Sequence, residues 1–169
     1  AMEAGNGRFQ IFAPDGTFVE TWDGTGGGGD AFNFAHRDGG FDGDVAFDAD
    51  GNIYVAEAGA QRVQVFDPDR RLLTSWGESG RENGQFIKSI GLAVDSQGNV
   101  YVLDHDRQDI QKFTSSGEWL ATFGDSGEAR MRGGVYLMID QEDTIWIADT
   151  TRVLALSTDG DFIREIGSR

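Results

Sequence analysis

Residues 44–77 read DVAFDADGNIYVAEAGAQRVQVFDPDRRLLTSWG and contain four short runs rich in β-branched and aromatic residues. Turn residues separate these runs at 48–52, 58–60 and 67–69. Within the runs, apolar residues alternate with smaller or polar ones, which is the period-2 pattern of β-strands. The stretch therefore predicts four antiparallel strands in one up-and-down sheet. Such a small sheet cannot bury both of its faces alone, so it needs further sheets beside it.

The rest of the chain repeats this unit. Asp48-x-x-Gly51-Asn52 returns 47 residues later at 95–99, and in a weaker form after a further 45 residues at 140–144. The other runs have counterparts as well: 101–104 and 146–149 match 54–57, 109–113 and 152–156 match 62–66, and 119–124 and 162–167 match 72–77. Four strands per unit at a fixed period of this size indicate radial or linear repetition, and usually a propeller.

The repeated pattern is D-x-x-G-N-[IV]-Y-V-x-[ED], then R-[VI]-Q-x-F, then x-x-[WF]-G. It resembles the blades of the NHL-repeat β-propeller family, and the resemblance covers nearly the whole chain. It implies an all-β fold of four-stranded antiparallel blades. Because this fold hosts many unrelated functions, the resemblance alone predicts no activity.

We predict a single propeller segment over residues 1–169, in which the N-terminal residues align with the second half of a blade. The predicted units are a half-blade at 3–22, a Gly-rich link at 23–40, and blades at 41–77, 87–124 and 133–167. They supply fourteen strands, or three and a half blades, whereas the family resemblance implies a ring of about six blades. We therefore expect an incomplete ring within one chain, which is either a piece of a longer protein or an arc that associates with copies of itself.

Composition excludes several classes of partner. The net charge is −15, and no basic face is visible, so we predict no nucleic-acid partner. The longest apolar runs are only a few residues, so we predict no membrane insertion. Cysteine is absent, which excludes disulfides and thiolate metal sites. It does not determine the compartment, for which an extracellular or periplasmic location is slightly favoured over the cytoplasm.

The strand order sorts the loops onto two rims. The hairpin rim holds the turns between the first and second and between the third and fourth strands of each blade. The link rim holds the turns between the second and third strands, together with the inter-blade links. Its loops are longer and more variable, so a ligand is expected there. The candidate ligand-binding residues on this rim are His36, Arg37, Arg81, Lys88, Asp104, His105, Asp106, Arg107 and Arg132.

Opposite charges flank two of the link-rim turns, Glu57 with Arg62 and Asp149 with Arg152. We predict that each pair bonds across its turn and holds it. In the blade at 87–124, Asp109 stands where the other blades have Arg, so the sequence predicts that this pairing is broken. His105 and Arg107 are the candidate substitutes. This change is either drift within the repeat or the mark of a ligand-facing loop.

No catalytic constellation stands out. The chain has two histidines, whereas a catalytic zinc site needs three protein ligands, so we predict neither catalytic residues nor a metal site. We also predict no cofactor. The one candidate that the resemblance raises is Ca²⁺, which lactonase-type propellers hold in the central channel with Asp, Glu and Asn.

We therefore predict a non-catalytic scaffold that recognises a protein, peptide or glycan through the link rim. The chain would also be able to associate with itself as a homo-oligomer that closes the ring. The alternative is a fragment of a metal-dependent propeller enzyme, of lyase or lactonase type, with a Ca or Zn site on the ring axis.

Overall fold

A computed structural model of the chain describes residues 1–35, 39–40, 42–134 and 136–167. It shows an all-β protein, in which the described residues form one helical element, a 3-10 turn at Ala4–Asn6. No helix in this part of the chain has the length and apolar character needed to cross a membrane.

The strands are named in chain order. The partial blade contains β1 (Met2–Glu3), β2 (Arg8–Phe12) and β3 (Phe18–Trp22). The second blade contains β4 (Gly43–Phe47), β5 (Ile53–Glu57), β6 (Arg62–Phe66) and β7 (Leu72–Trp76). The following link contains β8 (Glu78–Ser79) and β9 (Gln85–Phe86). The third blade contains β10 (Ser89–Val94), β11 (Val100–Asp104), β12 (Asp109–Phe113) and β13 (Trp119–Phe123). The fourth blade contains β14 (Tyr136–Ile139), β15 (Ile145–Ala148), β16 (Val153–Leu156) and β17 (Phe162–Ile166).

Each complete blade is a four-stranded sheet in chain order, and all of its neighbouring strands are antiparallel. The prediction of four-stranded antiparallel blades is therefore confirmed. The structure adds three two-residue strands, β1, β8 and β9, to the fourteen predicted. A two-residue pairing has no alternation for a sequence pattern to detect. The pair β8–β9 is parallel and lies within the link between the second and third blades.

A hydrogen-bond network around an aspartate closes the first turn of each complete blade. In the second blade, the Asp48 carboxylate accepts the backbone N–H groups of Asp50 at 3.0 Å and Asn52 at 2.9 Å. It also accepts the Tyr54 hydroxyl at 3.1 Å. The third blade repeats this arrangement around Asp95, and in the fourth blade the Trp146 Nε1–H replaces the tyrosine hydroxyl. The D-x-x-G-N-x-Y pattern is thus explained by turn closure.

The apolar core lies between blades. One cluster joins the partial and second blades, another the second and third, and the largest the third and fourth. The Gly-rich link contributes to the first of these, because Phe32 is 6% exposed and Phe34 is 1% exposed there. Phe41, which follows the link, lies outside the described residues.

The Gly-rich link does more than connect two blades on the link rim. Its Gly27 carbonyl accepts the N–H of Leu72 at 2.8 Å, next to the turn between β6 and β7 on the hairpin rim. A Cβ at Gly27 would lie 1.9 Å from the Arg70 carbonyl oxygen, and one at Gly29 would lie 2.5 Å from the Phe66 ring. The run of glycines therefore lets the link pass close to the outer strand of the second blade.

Asp44 is a half-buried carboxyl group between the second and third blades. It accepts the N–H of Leu92 at 2.9 Å and that of Val45 at 2.8 Å. Burial raises the pKa of Asp44 above 3.8, although the two hydrogen bonds oppose this effect. The folded protein thus holds a proton on Asp44 at pH values where the unfolded chain has lost it.

Because the pKa of Asp44 is higher in the folded protein than in the unfolded chain, Asp44 lowers the free energy of unfolding as the pH rises through these two pKa values. We expect Asp44→Asn, which removes the charge, to gain stability relative to the wild type when the pH is raised from about 4 to about 7. Urea unfolding at the two pH values measures the difference. A variant that differs from the wild type by the same free energy at both pH values would contradict it.

Candidate functional site

The link-rim turn of the second blade is built around Glu57, which is fully buried at the end of β5. Its carboxylate accepts Arg62 Nε at 2.9 Å, Gln64 Nε2 at 2.9 Å and the backbone N–H of Asn33 at 2.7 Å. A buried carboxylate is tolerated when its lone pairs are used in this way. The contact with Asn33 also ties the preceding inter-blade link to the blade.

Arg62 connects the same link a second time. Besides Glu57, its guanidinium contacts the side chain of Asp30 and the carbonyl of Ala31. Burial alone would lower the pKa of Arg62, but the bonds to Glu57 and Asp30 outweigh it and raise the pKa. The predicted contact between Glu57 and Arg62 is therefore present and extends to the link.

Asp104 takes the place of Glu57 in the third blade and is also fully buried. It binds only backbone N–H groups among the described contacts: Ile87 at 2.6 Å, Lys88 at 3.1 Å, and Asp106 and Arg107 at 3.0 Å each. The first two belong to the inter-blade link and the other two to the turn. The Asp104 carboxylate is thus satisfied by backbone amides, whereas the Glu57 carboxylate is satisfied by an arginine, a glutamine and one backbone amide.

Arg107 restores the charge pair that the sequence predicts to be broken. Its guanidinium binds Asp109 through Nε at 3.0 Å and Nη2 at 2.7 Å, and its Nη1 donates to the Glu82 carbonyl at 3.0 Å. Burial raises the pKa of Asp109, and the hydrogen bond from Arg107 opposes this effect. Compared with the second blade, the arginine lies earlier, within the turn, and an acid lies at the start of β12.

The same arrangement recurs at both ends of the chain. In the fourth blade, Asp149 accepts Arg152 Nε at 3.2 Å, so this predicted pair is in contact, and Arg152 also binds the Arg130 carbonyl at 2.7 Å. In the partial blade, Glu3 contacts Arg8 and accepts Gln10 Nε2 at 2.7 Å. Each complete blade therefore places an acid where its second strand ends, and the partial blade places one at the end of β1.

Several predicted ligand-binding side chains are used inside the protein. Asp104 is fully buried, and the Arg107 side chain is only 7% exposed in its pair with Asp109. Lys88 is 15% exposed and forms an ion pair with Asp42 at 2.9 Å. These three side chains are thus engaged within the protein, and their ligand-binding role stays a prediction.

The remaining predicted residues are exposed or lie outside the described range. Arg81 and Arg132 are exposed, and the His105 and Asp106 side chains are 38% and 40% exposed, with His105 Nδ1 at 3.0 Å from Asp106 Oδ1. His36 and Arg37 lie outside the described residues. The ligand-binding role of the exposed residues stays a prediction.

The third-blade rim brings the exposed residues together. We use this name for the 104–109 turn and the neighbouring link at 78–88. Arg107 joins them through the carbonyl of Glu82, which follows Arg81 in the chain. The rim is further held by Gln111, which is fully buried, accepts the Gly84 N–H and donates to the Gln85 carbonyl, both at 2.8 Å. Arg81, His105 and Asp106 thus lie on one framework.

Sequence reasoning missed Gln64 and Gln111 as positioning residues. Gln64 accepts the Asp30 N–H and donates to its carbonyl, both at 3.0 Å, just as Gln111 binds the next link. The available signal was the glutamine that recurs in R-[VI]-Q-x-F. A glutamine in the middle of an apolar strand needs a hydrogen-bond partner, and here the partner is the link backbone.

Metal binding gains no support from the side-chain geometry. Within the described ranges, no group of three or more His, Cys, Asp or Glu side chains is arranged to hold a metal ion. The Asp-rich turn at 48–52 uses its carboxylate on backbone and side-chain donors instead. The axial Ca or Zn site of the alternative prediction stays a prediction.

Comparison with known proteins supports the fold. The family model of the NHL repeat matches residues 43–66. No curated protein is similar enough in sequence to count as a match. Among solved structures, a virginiamycin B lyase from Staphylococcus aureus is 15% identical with a TM-score of 0.64, over 98% of this chain and 50% of that one. A streptogramin B lyase is 11% identical with a TM-score of 0.65, over 99% and 50%.

A gluconolactonase-like protein is 20% identical with a TM-score of 0.56, over 74% of this chain and 47% of that one. The chain therefore spans about half the length of these structures. At such identities the likeness shows the fold alone. The predicted resemblance to NHL-repeat propellers and the predicted incomplete propeller are both confirmed.

The backbone amides around Asp104 lead to a stability prediction. We expect Asp104→Asn to lower the free energy of unfolding by about 2 kcal/mol, because the new amide group faces N–H donors that it cannot accept. Urea unfolding measures the change. Asp106→Asn, in the same turn but exposed, is the control and should change stability by less than about 0.5 kcal/mol. Equal unfolding midpoints for Asp104→Asn and the wild type would contradict the prediction.

Proposed function

We propose that this NHL-type propeller segment is a scaffold that binds a protein or peptide through the third-blade rim. The observation that carries the proposal is that the charged residues of this rim fall into a buried set and an exposed set. The side chains of Asp104 and Arg107 are buried and bind the backbone, and the buried Asp109 binds Arg107. Arg81, His105 and Asp106 reach solvent from that backbone. A rigid framework that presents exposed charges is a suitable binding surface.

The chemistry of the rim favours a ligand with both signs of charge. Arg81 offers a guanidinium, which binds carboxylates in a bidentate manner. Asp106 and the exposed Glu82 offer acceptors for a basic or amide group. Because the protein carries a net charge of −15, a basic partner would also be attracted from a distance at low salt.

We do not infer the activities of the lyases and of the gluconolactonase-like protein named above for this chain. Their similarity concerns the fold, and the chain spans about half of each. The rim described here comes from this chain's own residues.

The test is a peptide-display selection against the immobilised 169-residue chain, followed by titration of the selected peptide. We expect Arg81→Ala to weaken binding by about tenfold or more, because a charge-assisted hydrogen bond contributes roughly 1.5–3 kcal/mol. Arg71→Ala is the matched control, since Arg71 is an exposed arginine on the hairpin rim.

Two results would contradict the proposal. One is a selected peptide whose affinity falls equally in Arg81→Ala and Arg71→Ala. The other is a selection that enriches only peptides whose binding is unchanged in both Arg81→Ala and His105→Ala.

A further inference from the structure

A pocket of about 360 Å³ opens on the hairpin rim between the second and third blades. It is lined by exposed turn residues of both blades and, deeper, by the buried residues Tyr54, Val65 and Asp95. Ligand sites in proteins occupy roughly 300–1,000 Å³, so this pocket has room for a small group.

The equivalent place between the third and fourth blades is filled by a lysine. Lys112 Nζ donates to the Thr158 carbonyl across that interface at 3.0 Å and lies over the Tyr101 ring, 5.4 Å from its centroid. Asp159 Oδ1 lies 3.8 Å from the same nitrogen, and the Lys112 side chain is only 13% exposed. A carbonyl, an aromatic ring and an acid thus hold an ammonium group almost out of solvent.

The strand register shows that the two places correspond. Lys112 pairs with Tyr101 across β11 and β12, and Val65 pairs with Tyr54 across β5 and β6. Tyr101 belongs to the core that the third blade forms with the fourth, and Tyr54 to the core that the second forms with the third. The pocket therefore has a valine where the next interface has the lysine.

The turn that receives the lysine is repeated as well. In both blades a glycine N–H closes it by donating to the carbonyl three residues earlier, at 2.9 Å in the fourth blade and 3.0 Å in the third. Ser115 therefore holds the place of Thr158, and it lines the pocket. No donor in the described part of the chain reaches the Ser115 carbonyl. Ser116 replaces Asp159, so this turn does not supply the acid.

A second difference opens the pocket to solvent. Between the third and fourth blades, the Asp143 carboxylate accepts the Ser96 N–H at 2.9 Å and also binds the Ser96 hydroxyl. The equivalent residues at the pocket are Ala49 and Gly98, which both line it and cannot form this bridge. Apart from its chain neighbours, no described atom lies within 4 Å of where a Cβ of Gly98 would be.

The lining of the pocket is negatively charged. It includes Asp48, Asp50 and Asp95 but, among the described residues, no Lys, Arg or His. Asp48 and Asp95 bind their own turns, whereas Asp50 is exposed and its carboxylate accepts no hydrogen bond from any described residue. Burial and then the charges of Asp48 and Asp50 raise the pKa of Tyr54 to about 12, so both acids act on the deep part of the pocket.

Leu73 gives the same pocket an apolar side. It is 54% exposed, and it lines the pocket together with Ala49 and Val65. An alkyl chain gains contact with such groups while its charged end keeps polar partners. A metal ion, which prefers a shell of oxygen ligands, gains nothing from them. The lining therefore favours an organic cation.

We propose that this pocket binds a primary alkylammonium group, either of a free amine or at the end of a lysine side chain of another molecule. The ammonium group takes the place that Lys112 Nζ takes in the next interface, next to the Ser115 carbonyl and Asp50. The alkyl chain lies against Leu73. The site is on the hairpin rim, so it does not depend on the binding proposed for the third-blade rim.

An NMR titration of the ¹⁵N-labelled 169-residue chain with n-butylammonium chloride tests the site. We expect saturable shifts of the Ser96, Gln97 and Gly98 amides. The dissociation constant should be on the order of 1 mM, because so small a ligand makes few contacts. n-Butanol, which has the same alkyl chain without the charge, should bind at least about tenfold more weakly. Sodium chloride at equal concentration controls for ionic strength.

Val65→Lys supplies the lysine of the next blade and should abolish these shifts, because its own ammonium group fills the pocket. Val19→Lys is the matched control, since it adds the same charge at a side chain that is 54% exposed on β3. It should change the dissociation constant by less than about twofold, because salt screens a distant surface charge. Circular dichroism shows whether each variant is folded.

A second variant keeps the test valid if Val65→Lys does not fold. Ala49→Ser/Gly98→Asp rebuilds the bridge of the next interface and should weaken n-butylammonium binding by at least about tenfold, because it closes the access to the pocket. An aspartate is accommodated at this point of the turn, since Asp143 has a φ of 59° there in the fourth blade.

A peptide with one central lysine, acetylated and amidated at its ends, distinguishes the two sources of the ammonium group. Binding at least as tight as that of n-butylammonium assigns the pocket to a lysine side chain, and weaker binding assigns it to a free amine. Equal binding of n-butanol and n-butylammonium would overturn the proposal. So would the absence of saturable shifts at residues 96–98, or shifts that persist in a folded Val65→Lys variant.

Discussion

The structure depends on one recurring interaction: a carboxylate at the end of the second strand of a blade, which collects hydrogen bonds from the turn and the link. Glu57 and Asp104 are fully buried and belong to no surface. Burying a carboxylate costs several kcal/mol unless its lone pairs are satisfied, so the donors around it are held as firmly as the acid itself. Asn33, Ile87 and Lys88 are the backbone donors that the links supply. Hydrogen bonds to these carboxylates thus fix the long loops of the link rim to the blades.

This interaction explains how the rim can be both long and rigid. Gln111 and Arg107 add two further bonds between the third blade and its link, through Gly84, Gln85 and Glu82. Charged residues are therefore of two kinds on this rim. Those that face inward form hydrogen bonds that fix the turn and the link. Those that face outward, such as Arg81 and His105, are exposed to solvent. The second kind is the surface on which binding is proposed.

The repeat itself was predictable from the sequence, because strand alternation and the Asp48 turn return at a fixed period. The contact of Glu57 with Arg62 was predictable too, since opposite charges flank one short turn. Arg107 was one of two candidate substitutes for the missing arginine, but only the fold shows that it is the one that pairs and that its partner is Asp109. The path of Gly27 beside Leu72 was equally hidden, since a run of glycines carries no side-chain pattern.

Amide hydrogen exchange of the link residues measures the central interaction most directly. Asn33, Ile87 and Lys88 lie outside the main strands of the blades, so their amides would exchange quickly if the links were ordinary surface loops. Because a buried carboxylate accepts each of them, they should exchange as slowly as amides within the blades, with opening free energies close to that of global unfolding. Fast exchange of these three amides, next to slow exchange in β5 and β11, would contradict the account.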